Sequence, residues 1–160
     1  EMSASLVGSE MCIRDSQMTY QTIGFDKLNQ LRHAKYFKNF ESISEHMKHH
    51  AAIIRPKFDV VLYMLDKEVE PLGIGKWNKP NGGYFISFNQ KGCAKRIVSL
   101  CKEAGVVLTG AGASFPHGVD PEDENIRISP TFPTEEELQK AMDVFVCAAK
   151  LAAAEQALAK

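Results

Sequence analysis

The chain has 160 residues, of which 44% are hydrophobic and 24% charged, and its formal net charge is -1. That length makes one domain, or part of a larger one, and the ordinary globular composition excludes disorder and low complexity. Near-neutral charge argues against nucleic acid or an anionic membrane as partner, and no apolar run reaches the ~20 residues of a membrane span.

Residues 1–16, EMSASLVGSEMCIRDS, carry no basic n-region and continue no helical or strand period. The string SLVGSEMCIRDS resembles translated sequencing-adapter read-through, so residues 1–16 are expected to be a non-native or disordered leader. Without them the chain holds 18 basic and 17 acidic residues, a net charge of +1.

Residues 26–38 place Leu28, Leu31 and Phe37 near one side of a helix, which Asn39 and Phe40 interrupt. Ser42 stands three residues before Glu45, the spacing of a capping box with Ser42 as cap. The helix that follows carries Ile43, Met47, Ile54, Phe58, Val61 and Leu65 on one stripe, expected to be buried throughout. Pro56 should kink this helix near residue 52 without ending it. Residues 71–83 are rich in Gly and Pro and read as a loop, with a turn at Asn81-Gly82-Gly83.

Tyr84–Asn89 reads as a strand and Ala94–Ala104 as a helix, with Ile97, Val98 and Cys101 inward and Gly105 past its end. Val106–Thr109 is expected as a short strand, 110–124 as a long loop, and Asn125–Ser129 as another strand. Thr134 and Glu137 form a capping box for a last helix, whose inner face is Leu138, Ala141, Phe145, Ala148 and Ala152. The order of elements gives an α+β fold, helices packed on a small sheet.

The four cysteines, Cys12, Cys93, Cys101 and Cys147, form no CxxC pair. Single buried thiols in a reducing cytoplasm fit them better than a disulfide framework. His46, His49 and His50 have helical spacing that a metal can use, but a solvated helix face explains them as well, and no metal site is expected. GAGAS at 110–114 matches neither GxGxxG nor a Walker loop, so Gly110 and Gly112 are expected to let the backbone turn or approach another surface. On the strand NIRIS, Ile126 and Ile128 point one way, and Asn125, Arg127 and Ser129 the other. A guanidinium held on a rigid strand can grip a carboxylate with two parallel hydrogen bonds, although a lone strand Arg is more often a solvated side chain.

Four segments, TIGFDKLNQLRHAKYFKN (22–39), GGYFISF (82–88), CKEAGVVLTGAGASFPHG (101–118) and NIRISPTFPTEEEL (125–138), together resemble the C-terminal portion of fold-type I pyridoxal-phosphate-dependent aminotransferases. The ordered set is most similar to the bacterial aspartate aminotransferase subgroup labelled MocR-like. The resemblance implies that 17–160 is the small domain plus an interdomain helix, that the cofactor is pyridoxal 5′-phosphate, and that the intact protein is a cytoplasmic homodimer. The substrates it implies are an amino acid, aspartate first, and a 2-oxo acid.

Arg127 aligns with the family's Arg for the substrate α-carboxylate. Asn29 and Arg32 fall near the family's dimer interface, where Arg32 could read a side-chain carboxylate. The Schiff-base Lys and the cofactor's phosphate- and ring-binding groups belong to the part of the family before 22–39, so none of this chain's lysines inherits that role and the chain alone is expected to be inactive. Gly110 stands where family members often carry Pro. Tyr84 and Phe85 are read as core and domain-packing residues. The rival reading is a stand-alone α+β binding module without catalysis. It predicts polar outer faces, whereas a segment parted from its large domain should expose apolar ones, with Tyr36, Phe37 and Phe40 among them.

Overall fold

The structure, a computed structural model, describes residues 26–159. The stretch read as adapter-like, and Cys12 with it, lies outside the described residues. The chain divides into two compact units, 1–48 and 49–160.

In the first unit, helix α1 spans Lys27–Tyr36. The Asp26 carboxylate caps it by accepting the Asn29 N–H at 2.9 Å. Helix α2 spans Phe40–Glu68. Its cap is Asn39, not Ser42: Asn39 Oδ1 accepts the Ser42 N–H at 2.9 Å, and Ser42 Oγ lies 3.4 Å from the Asn39 N–H nitrogen. An Asx cap three residues upstream therefore displaces the Ser42–Glu45 box, because asparagine at the break satisfies the same orphan donors. The rings of Tyr36, Phe37 and His46 meet edge-on, with centroids 4.9 to 5.7 Å apart. Leu28, Leu31, Tyr36, Phe40, Ile43 and Met47 are exposed.

In the second unit α2 continues through Pro56 as one helix. The expected stripe is buried only in this part, at Phe58, Val61 and Leu65, while Ile54 is half-buried. A turn at Glu70–Leu72 closes on Gly73, whose φ of 63° is left-handed.

The sheet has three antiparallel strands in the order β1 (Lys76–Trp77), β2 (Ile86–Asn89) and β3 (Asn125–Ile128). Helix α3 (Ala94–Glu103) lies between β2 and β3 in sequence, and α4 (Glu135–Leu158) ends the described chain. Register pairs Ile86 with Ile128 and Phe88 with Ile126 on the core face. Phe88 stacks on Trp77 and meets Phe145 of α4 edge-to-face, with ring centroids 6.2 and 5.1 Å apart. Ile97 and Cys101 from α3, and Leu138, Met142, Phe145 and Ala149 from α4, complete the core. Thr134 and Glu137 make the expected capping box. Ala141 is only half-buried, and Met142 and Val146 take more of the inner face than expected.

Three expectations are corrected. Lys76–Trp77 is a strand inside the presumed loop, held because the Trp77 ring packs on Phe88 and its Nε1–H donates to Asp66 Oδ1 at 3.1 Å. Tyr84 and Phe85 precede the strand and are exposed rather than core, since pairing with β3 begins only at Ile86. Val106–Thr109 forms no strand: among the described residues it has no ladder partner, and the Val106 N–H instead closes on the Cys101 carbonyl at the end of α3. Gly105, with φ 89°, does stand just past that helix end. Among the described residues no helix is long and apolar enough to cross a membrane.

Candidate substrate-binding site

The two faces of the sheet differ in chemistry. Opposite the core face, register sets Ser87 against Arg127 and Asn89 against Asn125. Asn125 Nδ2 donates to Ser87 Oγ at 2.9 Å and to Asn89 Oδ1 at 2.7 Å. The Ser87 N–H donates to Asn78 Oδ1 at 2.7 Å. These neutral groups satisfy one another across the two strands, which stiffens the surface on which Arg127 stands.

The Arg127 guanidinium carbon lies 4.5 Å from the centroid of the Phe85 ring. Its Nε is buried and has no hydrogen-bond partner. Among the described residues its guanidinium forms no ion pair, although Arg96 and Lys79, Lys91 and Lys150 each find a carboxylate at 2.6 or 2.7 Å. A buried polar group is normally paired, and a buried charge more so. An Arg fixed on a strand with no counter-ion is the arrangement that a carboxylate ligand would complete with two parallel hydrogen bonds.

The strand carrying Arg127 is anchored at its start by Asp120, which sequence reasoning left inside a loop. Asp120 Oδ2 accepts the N–H groups of Glu124 and Asn125, each at 2.8 Å, and Oδ1 accepts that of Glu122 at 3.1 Å. These bonds, the one from Asn125 first, hold its carboxyl below the usual range against the opposing effect of desolvation. Asp123, at φ 48°, turns the same segment toward α3, and its carbonyl accepts the Cys93 and Ala94 N–H groups. The Asp-Pro pair at 120–121 was the available signal, because Asp side chains bond the backbone two residues on. After β3, Lys57 of α2 donates to the Thr131 carbonyl at 2.8 Å and fixes the exit.

Asn29 and Arg32 lie on α1 in the first unit, Arg127 in the second. The Asn29 backbone is engaged by Asp26 and by His33 Nδ1, the latter 2.8 Å from its carbonyl. Arg32 is exposed, and among the described residues it makes no ion pair. Among the described residues no group of three or more His, Cys, Asp and Glu could hold a metal ion. Cys93 and Cys101 are buried as expected, and burial pushes the Cys101 thiol up to about 11. Cys147 is exposed instead, because its position on α4 faces away from the core side chains Phe145, Ala148 and Ala149. In GAGAS, Gly112 has φ 81°, and a Cβ there would sit 2.5 Å from the Gly118 carbonyl oxygen. That glycine serves a close backbone approach, as expected, while Gly110 has open space around it.

A profile of the family described as aspartate amino-transferase matches residues 3–160. An aspartate aminotransferase of Corynebacterium glutamicum is 48% identical over 134 residues, covering 83% of this chain and 31% of that protein. The crystal structure of an aspartate transaminase from C. glutamicum superposes with a TM-score of 0.82 at 45% identity, covering 88% of this chain and 34% of that one. An α-aminoadipate aminotransferase from Thermus thermophilus, solved with N-(5′-phosphopyridoxyl)-L-leucine, shares the fold at 23% identity and a TM-score of 0.60, over 71% of this chain and 29% of its own. The chain spans about a third of the length of the relatives it matches. The helices, the three-stranded sheet and the profile over almost every residue agree: the chain belongs to the aspartate aminotransferase family.

Proposed function

We propose that this segment is the carboxylate-binding part of a pyridoxal-phosphate-dependent transaminase that moves an amino group between an amino acid, aspartate first, and a 2-oxo acid. The observation that carries the reading is the Arg127 guanidinium, without a hydrogen bond or ion pair among the described residues, on a strand whose other polar side chain, Asn125, is already paired with Ser87 and Asn89 of β2. Arg127 takes the α-carboxylate and so orients the Cα–H bond of the substrate. In this reading 17–160 is the small domain with an interdomain helix, and the subgroup is the MocR-like one.

The donor set fits a substrate carboxylate and not the cofactor. On the polar sheet face the charged groups are Arg127 and, across β2, Lys76, and the amides and hydroxyl between them are engaged. No described residue is therefore assigned to the cofactor's phosphate or ring. When bound elsewhere in the enzyme, the cofactor supplies the electron sink for the carbanion at Cα. Arg32, on α1, is proposed to read the side-chain carboxylate of aspartate in a homodimer, and a cytoplasmic setting fits the free thiols. A stand-alone binding module calls for polar outer faces. The exposed Leu28, Leu31, Tyr36 and Phe40 of the first unit support the larger enzyme instead.

The test is Arg127→Ala in the full-length enzyme. Losing a charged hydrogen-bonded pair of about 1.5–3 kcal/mol predicts a drop of roughly 10- to 150-fold in kcat/KM for aspartate. Cofactor absorbance should be retained. Unchanged kinetics for aspartate remove Arg127 from the site.

A further inference from the structure

Phe85 is an exposed phenyl ring outside the core cluster, one residue before β2 and on the same side of the chain as Ser87 by strand alternation. Its close partner is the Arg127 guanidinium, 4.5 Å from carbon to centroid. The ring lies against a planar, delocalised cation, and a guanidinium held over an aromatic face can keep its edge free for a carboxylate. The burial of Nε closes the inner edge of that plane. The two terminal nitrogens neither bond to a described residue nor count among the buried unpaired atoms, so they form the open edge.

We propose that Phe85 is a positioning residue, holding the Arg127 plane so that the two terminal nitrogens, and not the Nε edge, meet the substrate carboxylate. This rests on the carboxylate role of Arg127. The ring touches the guanidinium and not the reacting atoms, so its effect should follow the carboxylate alone.

The experiment uses the full-length holoenzyme with Phe85→Leu, Phe85→Tyr and Arg127→Ala, each assayed with aspartate and with the corresponding amine that lacks the α-carboxylate. Phe85→Leu should raise KM for aspartate about fivefold with little change in kcat, as expected for losing an exposed cation–π contact. Its slow reaction with the amine should not change. Phe85→Tyr, which keeps the ring, should restore KM. Equal losses on both substrates would mean a merely structural role, and an unchanged KM for aspartate would mean none; either overturns the proposal. If Arg127→Ala itself fails to discriminate between the two substrates, the carboxylate reading falls and this role with it. If Arg127→Ala discriminates and Phe85→Leu does not, only the positioning role is lost.

Discussion

Replacing Gly112 by Ala isolates two physical terms that the loop after α3 imposes on one residue. The first is conformational. At φ 81° an L side chain meets its own backbone, at about 1–2 kcal/mol, offset by the ~0.4–1 kcal/mol that Ala gains by restricting the unfolded chain. The second is contact. The new Cβ would lie 2.5 Å from the Gly118 oxygen, 3.1 Å from its carbonyl carbon and 3.4 Å from the Asp120 nitrogen. All three are backbone atoms, so relief requires the two sides of the loop to part, an overpacking cost of about 1–3 kcal/mol. Turn bonds from Phe115 N–H to the Gly112 carbonyl and from Gly118 N–H to the Phe115 carbonyl resist that parting. The net expectation is a loss of about 2–4 kcal/mol.

Two other glycines separate the terms. Gly73 has φ 63° but open space, so Gly73→Ala should lose only the conformational part, about 1 kcal/mol or less. Gly110 has open space and no left-handed φ, so Gly110→Ala should be neutral or slightly stabilising. Urea unfolding of the 160-residue chain measures all three. With a slope of about 2 kcal/mol/M the Gly112 variant should unfold roughly 1–2 M earlier than the parent. If Gly112→Ala and Gly73→Ala fall together within about 0.5 kcal/mol, the close approach does not constrain this loop and the reasoning is wrong.

Phe88→Ala should cost about 3–5 kcal/mol, because the ring is fully buried between Trp77 and Phe145; a loss below about 1.5 kcal/mol in the same urea series would show that the core closes over the gap. In the native chain at pH 8, iodoacetamide should modify the exposed Cys147 and leave Cys101 and Cys93 intact until denaturant is added; mass spectrometry showing early modification of Cys101 contradicts its burial. The Cys101 thiol, raised from 9.0 to about 11, keeps its proton in the folded state when the unfolded chain has lost it. Stability from this group is therefore complete below about pH 9 and declines as pH rises toward 11, and a Cys101→Ala variant should lack that component of the alkaline decline.

Much of this fold was legible because periodicity and caps are local. The Thr134–Glu137 box, the 94–104 helix and the alternation of Ile126, Arg127 and Ile128 each need only a few adjacent residues to declare themselves. What stayed hidden depends on partners far along the chain. Lys76–Trp77 is a strand only because Phe88 and Asn89 lie beside it, and Val106–Thr109, with better strand composition, is none because no described residue pairs with it. The exposed half of the α2 stripe is the same lesson from the other side. Ile43 and Met47 continue the period of Phe58 and Leu65, but periodicity records which residues could be buried together and not whether a partner covers them.

The site divides along the same line. Strand alternation places Arg127 opposite the core face, but whether that face is polar depends on β2 and on register. Ile86 and Phe88 must meet Ile128 and Ile126, and a slip of one residue would carry the guanidinium into the core. No tight hairpin enforces the register, since α3 and a long loop separate the two strands. The four apolar side chains enforce it from one face. From the other side and at the strand's start, the Asn125 bonds to Ser87 and Asn89 and the Asp120 bonds to Glu124 and Asn125 hold the same alignment. Asp120 therefore acts on the proposed Arg127 site through the backbone. Its carboxylate fixes where β3 begins, and where β3 begins decides which way Arg127 points.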